Sequence, residues 1–286
     1  MKTGTKLLLK INRFFKLPVH PFNLTAQGTK TYAQWQFEKG IDTIKFYLEY
    51  TDPEEMFRGK VILDIGCGAG GKTVFYASKG VEMIYGLEIL EKYRAEAQEL
   101  AQEKGLADKF RFVCKDASET DFAAEFFDTV IMNDAMEHVD DPEAVLRECL
   151  RILKPDGKIF LNFPPYDHPF GAHLSDAIAI PWVHRLFSEQ TMIEAYKAQV
   201  AALPDGPDRI RFRISARDDG KEYFSYINRM TIKRFHKILE DVTKNDAVCK
   251  YYREIPLRPF LSVLAKIPFT KEMFVKMVVC VLEKSG

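Results

Sequence analysis

Residues 61–71 read Val61-Ile62-Leu63-Asp64-Ile65-Gly66-Cys67-Gly68-Ala69-Gly70-Gly71. A short aliphatic run passes directly into a glycine-rich segment, the pattern of a buried strand that gives way through a tight turn to a helix. Glycine is needed there because it adopts positive φ without strain and lets a ligand approach the main chain with no Cβ in the way. Read as Gly66, Gly68 and Gly71, the spacing is the GxGxxG of dinucleotide sites, and Glu88 lies about 20 residues further on, as that fingerprint requires. The glycines alone therefore fit more than one cofactor. Asp64 separates them: an acid at the end of the strand sits poorly with a pyrophosphate and suits a cationic amino-acid ligand.

Outward from this turn, β-rich apolar runs alternate with helical patterns, which predicts a parallel sheet covered on both faces. Strands are expected at 61–65, 83–87, 110–114, 129–133 and 158–163, with helices at 71–79, 91–104 and 142–153. Asp141 is the expected N-cap of the last helix and Pro142 its first residue. After Phe163 the alternation stops, and about 65 residues pass before the next clear helix at 231–242, too many for a plain connection. Within them a helix is expected near 188–202 and a hairpin around Asp219-Gly220 between 210–216 and 223–227. Strands near 251–255 and 277–282 complete a sheet of about seven strands. The segments expected are thus 1–58, a basic arm and helices covering the site; 59–163, the cofactor-binding core; 164–230, a lid or substrate-recognition insertion; and 231–286, the last helix and strands of the sheet.

Between Lys60 and Phe163 the chain resembles the class I, Rossmann-like S-adenosylmethionine-dependent methyltransferases. Asp64, Gly66, Gly68 and Gly70 match that family's acid followed by GxGxG, and Cys67 lies within the loop, where a backbone contact to the cofactor is implied. Glu88, followed by Ile89, matches the acid that ends the second strand and accepts from both ribose hydroxyls. Asp116-Ala117 matches the residues beside the adenine, and the stretch from Phe127 through Asn133 to Val139 resembles the fourth motif. The resemblance implies a doubly wound, mostly parallel seven-stranded α/β sheet with N-terminal helices and a lid inserted after the fifth strand. It also implies S-adenosylmethionine as cofactor.

Methyl transfer from a sulfonium asks the protein mainly to align a nucleophile and exclude water, with a base needed where the acceptor is protonated. His138 falls where many family members carry a histidine beside the transfer region. His168 and His173 follow the fifth strand, and open α/β sheets bind ligands at the carboxyl ends of their strands. These three are the candidate catalytic residues, with one of the latter pair favoured as base or acceptor contact. Their spacing matches no helical HxxxH site, so no metal is expected. Aromatic residues gather before and after the cofactor core, among them Trp35, Tyr47, Tyr166, Trp182 and Tyr226, and Leu257 to Met277 adds Pro, Phe and Leu. A small hydrophobic or aromatic acceptor follows, with oxygen favoured because candidate bases are present.

With 41 basic and 41 acidic side chains among 286 residues, no net field attracts nucleic acid. Five scattered cysteines, Cys67, Cys114, Cys149, Cys249 and Cys280, form no CxxC pair and suggest a reducing cytoplasm rather than a disulfide framework. No apolar run approaches the ~18 residues of a spanning helix. Lys2, Lys6, Lys10, Arg13 and Lys16 interleave with Leu7, Leu8, Leu9, Ile11, Phe14 and Phe15, which fits either an arm packed on the domain or a peripheral contact with an anionic bilayer. The rival functions are an NAD(P)-dependent oxidoreductase using the same glycines and a non-catalytic or membrane-surface binding protein of the same fold.

Overall fold

The computed structural model describes residues 1–244, 246–258, 263, 267 and 270–286. Residues 259–262, 264–266, 268 and 269 of the lipophilic stretch expected from Leu257 to Met277 therefore lie outside the described residues. In chain order the strands are β1 (Val61–Ile65), β2 (Met83–Glu88), β3 (Phe110–Cys114), β4 (Phe127–Asn133), β5 (Leu153–Phe163), β6 (Ile214–Ala216), β7 (Glu222–Phe224), β8 (Ala247–Pro256) and β9 (Val275–Lys284). Seven of them form one sheet in the order β3-β2-β1-β4-β5-β9-β8, and β6 pairs with β7 in a separate hairpin. Pairing from β3 across to β5 is parallel, while β9 runs antiparallel to β5. This is the Rossmann-like α/β sheet that the alternation predicts.

The alternation works because central strands bury both faces and so read as nearly continuous apolar runs. In β4 every residue but Asp128 is buried, and β9 is buried without a break from Met277 to Leu282. The helix Pro142–Ile152 has Pro142 in its first turn and Asp141 accepting from the backbone N–H groups of Glu143 and Ala144, so the expected cap is formed. Two boundaries shift. The expected helix 91–104 begins as a 3₁₀ turn at Glu91–Tyr93 and becomes α-helical over Arg94–Glu103, the tighter winding common at helix starts. The first arm of the expected hairpin is largely helical, Gly206–Arg213, with only Ile214–Ala216 left as strand.

The chain divides into two compact units whose boundaries cut across the linear segments. One comprises 31–163, 232–255 and 277–286 and holds the seven-stranded sheet; the other comprises 1–30, 164–231 and 256–276. Residues 31–58, expected to go with the basic arm, thus fold with the sheet. The helix Tyr32–Glu38, opened by a capping box between Thr31 and Gln34, packs on the helix Gly71–Ala77 that follows the glycine turn.

In the second unit the helix Thr3–Asn12 buries Leu8 against the helix Glu189–Val200. Asn12 bonds the backbone of Ala177 and Ala179. The basic arm is therefore packed on one side. Leu7, Phe14, Phe15, Leu17 and Val19 are exposed among Lys6, Lys10, Arg13 and Lys16. No helix among the described residues is long and apolar enough to cross a membrane.

Centred in this unit is a buried ionic knot. Asp176 accepts from Arg209 Nη1 at 3.2 Å, Arg213 Nη2 at 3.0 Å and the Tyr196 hydroxyl at 2.8 Å, and Arg209 also reaches Asp205 and Asn23. Both guanidinium groups lie over the ring of Phe22. Two arginines and two aspartates balance in charge, which is what makes their burial tolerable. Removing one carboxylate charge leaves a buried guanidinium uncompensated. Asp176→Asn is expected to cost about 3–5 kcal/mol in urea unfolding; a loss under about 1 kcal/mol means the knot is not needed.

Candidate functional site

Gly66, Gly68 and Gly70 have φ of 69°, 56° and 76°, so alternate residues of the turn occupy the left-handed region that favours glycine. The turn is also tight against its surroundings: a Cβ on Gly66 would lie 2.7 Å from Ala135 Cβ, and one on Gly71 would lie 2.0 Å from the carbonyl oxygen of Ala33. Helix 32–38 grips the loop directly. Gln36 Oε1 accepts from Gly71 N–H at 3.1 Å, while Gln36 Nε2 donates to the carbonyl of Cys67.

Asp64, at the end of β1, is buried and accepts from the Thr73 hydroxyl at 2.5 Å. It ties the strand to the helix after the turn, and so holds the loop from beneath. Burial pushes its carboxyl up to about 6, only partly countered by Thr73 and Lys72. Glu88, at the end of β2, accepts from Gly68 N–H at 2.9 Å with Oε2 and from Leu90 N–H at 3.0 Å with Oε1. A carboxylate has about four lone-pair sites, so each oxygen keeps capacity for a further donor. Desolvation raises the Glu88 pKa despite these bonds. Ile89, next in sequence, is 64% exposed, an apolar side chain beside the acid. Tyr32 lies near the Cβ position of Gly68, and its hydroxyl pKa is raised by burial and then by Glu88.

Five of the loop amides are already committed. Gly66 and Cys67 N–H bond the carbonyl of Leu87, Gly70 N–H that of Cys67, Gly68 N–H the Glu88 carboxylate and Gly71 N–H the Gln36 amide. A pyrophosphate at a helix N-terminus relies on such donors being free. What surrounds the turn instead is acidic, Asp64 and Glu88 with Asp134 beyond β4, against Lys72, whose amine bonds Asp134 at 3.0 Å. This balance suits a ligand that is cationic and carries no phosphate.

The other expected residues divide. The Asp116 carboxylate caps its own turn, accepting from the N–H and hydroxyl of Ser118, which lowers its pKa; Ala117 follows, half-buried. The Asn133 side chain is spent inside the core: Oδ1 accepts from the Tyr47 hydroxyl and Asn162 Nδ2, and Nδ2 donates to the Tyr76 hydroxyl. Only its backbone is left for a cofactor. Cys67 is buried, and burial holds its thiol well above the usual range, an inert group. Beyond Asn133, Asp134 takes a left-handed φ of 52°. Glu137 is buried, and desolvation followed by Asp134 pushes its carboxyl well up; His138 Nε2 lies 3.9 Å from it.

In the other unit, His168 Nδ1 accepts from Phe170 N–H, and burial, then Lys276 and His184, push its pKa down to about 4. His173 has a left-handed φ of 51°, and its carbonyl accepts from Arg213 Nε. The same unit contains a cavity of about 220 Å³ lined by Tyr166, His184, Phe187, Met192, Phe224 and Arg229 among others. His184 stacks at a tilt on Tyr166, centroids 4.8 Å apart, and both its ring nitrogens are buried without a hydrogen-bond partner. Burial pushes this imidazole down to about 4, which keeps it neutral. Sequence reading missed His184 and Gln36, which belong to no motif, and Tyr32 stands out there only as one of the aromatic residues before the core.

Residues 63–161 match the family model described as a methyltransferase domain. This stretch is therefore a methyltransferase domain, carried on the Rossmann-like sheet. Among curated relatives, the domain is 34% identical over 130 residues to a ubiquinone biosynthesis O-methyltransferase of Neisseria meningitidis serogroup C, covering 44% of this chain and 53% of that one. It is 28% identical over 144 residues to a protein of the same name from Coxiella burnetii, covering 50% and 59%. The chain thus spans little more than half the length of these relatives. The fold is similar to that of the PH0226 protein of Pyrococcus horikoshii, with a TM-score of 0.52, 17% identity and coverage of 87% and 91%. It is also similar to that of the [4+2]-cyclase SpnF, with a TM-score of 0.56, 15% identity and coverage of 97% and 96%. A cyclase among the neighbours shows that this fold does not by itself dictate methyl transfer.

A pH dependence follows from Asp64. Its folded-state pKa of about 6 lies above the ordinary 3.8, so its protonation favours the folded, ligand-free protein. That stabilisation is full below the ordinary value and is lost as pH rises through about 6, a change of roughly 3 kcal/mol. Urea unfolding from pH 4 to 7 is expected to show this component in the wild type and not in Asp64→Asn. Parallel profiles contradict it.

Proposed function

We propose that this protein is an active S-adenosylmethionine-dependent methyltransferase that methylates an oxygen of a small aromatic or lipophilic acceptor. The observation that carries the reading is the Glu88 carboxylate. It is fixed by two backbone N–H groups, each oxygen retains capacity for one more donor, and it stands next to the exposed Ile89. A pair of ribose hydroxyls beside an adenine face fits that arrangement. Asp64, Thr73 and Gln36 act as positioning residues for the loop, and backbone groups of Cys67 and Asn133 are assigned as cofactor contacts, with Asp116 and Ala117 at the base.

When bound, the cofactor supplies a methyl group already activated on a sulfonium. The chain's own task is to place an acceptor oxygen in line, exclude water and take up the acceptor's proton. Of the three candidate bases, His168 is the weakest: its Nδ1 is engaged by Phe170, and burial lowers its basicity. We assign it an acceptor-orienting role. His138 stands beside Glu137, whose carboxyl burial and then Asp134 push well up, which suits orientation rather than charge activation. His173 is the proposed base.

A small acceptor is supported by the cavity at His184. About 220 Å³ is the volume of roughly seven waters at ~30 Å³ each, the size of a one-ring molecule. A neutral imidazole with a donor and an acceptor both unused matches a hydroxyl, which also offers both. The relatives named ubiquinone biosynthesis O-methyltransferases agree with oxygen as the methylated atom.

Incubated with S-adenosylmethionine and a panel of one-ring phenols, the protein is expected to yield an O-methyl product. His173→Ala is expected to lower kcat about 100-fold at pH values below the phenol pKa, with adenosylhomocysteine binding unchanged. A methyl group found on nitrogen or carbon contradicts the choice of oxygen. Unchanged kcat in the variant contradicts the base, and thermal protection by NAD instead of adenosylhomocysteine contradicts the whole reading.

A further inference from the structure

Sequence reading sets the five cysteines aside as scattered, and four of them are unremarkable one at a time. The fold brings two together. Cys249 lies on β8 and Cys280 on β9, neighbouring strands at the end of the sheet, and their sulfurs are 3.8 Å apart. Their surroundings differ sharply: Cys280 is fully buried, opposite Leu161 of β5, whereas Cys249 is exposed on the edge strand, with its sulfur also directed at the carbonyl of Tyr251.

We propose that Cys249 and Cys280 form an oxidant-responsive thiol pair, in which peroxide converts the two thiols to an intramolecular disulfide that clamps the edge strand β8 to β9.

Closing a disulfide needs the sulfurs to approach from 3.8 Å to about 2.05 Å. Side-chain rotation together with a small movement of β8 can provide this, since β8 is paired on one side only within the sheet. The asymmetry divides the roles. Cys249 is reachable by a dissolved oxidant and is the attacking group; the hydrogen bond from Cys280 lowers its pKa to about 7, so a substantial fraction is thiolate at neutral pH. Cys280 is sheltered and held well above the usual range, first by that same bond and then by burial, so it serves as the resolving thiol.

The chemistry balances with peroxide as the named oxidant. The Cys249 thiolate attacks one peroxide oxygen, the O–O bond breaks, hydroxide leaves, and Cys249 becomes a sulfenic acid. The Cys280 sulfur then attacks the Cys249 sulfur, the S–O bond breaks, and the departing hydroxide takes the Cys280 proton as water. In total two thiols and one peroxide give one disulfide and two waters. The other cysteines lack this arrangement: Cys67 and Cys149 are buried with raised pKa values, and Cys114 has no thiol partner among the described residues.

The test uses the full chain treated with hydrogen peroxide, blocked with iodoacetamide and mapped by peptide mass spectrometry. The expected result is a Cys249–Cys280 crosslink within one chain that is lost on treatment with dithiothreitol. Before oxidation, Cys249 is expected to alkylate at least about tenfold faster than Cys280. In Cys280→Ser the reaction is expected to stop at a dimedone-reactive sulfenic acid on Cys249, and in Cys249→Ser position 280 is expected to remain a thiol. A crosslink between two chains overturns the proposal. So does a Cys249 that proceeds to sulfinic acid while Cys280 stays alkylatable.

Discussion

Everything at the cofactor site depends on a backbone constraint: between β1 and the helix 71–77 the chain reverses through three left-handed residues in five, with neighbours packed too closely for a Cβ. Such a turn is expensive to hold, because glycine gives up the most conformational freedom on folding. The structure offsets this from several directions. Asp64 bonds Thr73 across the turn, Leu87 receives two loop amides, Glu88 receives a third, and Gln36 clamps the loop at both Cys67 and Gly71. Glu88, the proposed ribose contact, is one of the groups that stabilise the turn, so under that proposal local stability and cofactor recognition share atoms.

This convergence explains how the choice between cofactors is made. A glycine fingerprint is shared by dinucleotide and adenosylmethionine sites, and spacing alone does not separate them. The surroundings of the loop bear on the choice, since five of its amides are occupied by protein acceptors and the nearby side chains are mainly acidic. Asp64 read in sequence as an acid at a strand end suggests this; Asp64 seen beneath the loop, buried and bonded to Thr73, gives the reason.

Most of the sheet was legible because its strands are short, apolar and regularly spaced, and Asp64, the glycines and Glu88 stand at strand ends where pattern and chemistry coincide. Other features depend on contacts that no local pattern carries. Gln36 reaches the loop from about 35 residues upstream, and Asn133 is drawn into a polar core cluster with Tyr47, Tyr76 and Asn162. The division into units was hidden for the same reason, since residues 1–30 and 164–231 join through tertiary contacts, among them those of Asn12 and those around Asp176 and its arginines. His184 and the Cys249–Cys280 pair likewise become visible only when distant segments are placed side by side.

The central claim is that Glu88 recognises the ribose of an adenosyl cofactor, and calorimetric titration of adenosylhomocysteine into the wild type and Glu88→Ala tests it most directly. Two hydrogen bonds to a charged acceptor are at stake, each worth about 1.5–3 kcal/mol. The account predicts binding by the wild type and affinity weaker by about tenfold or more in a variant whose circular dichroism is unchanged. Equal affinity in the two proteins would contradict it.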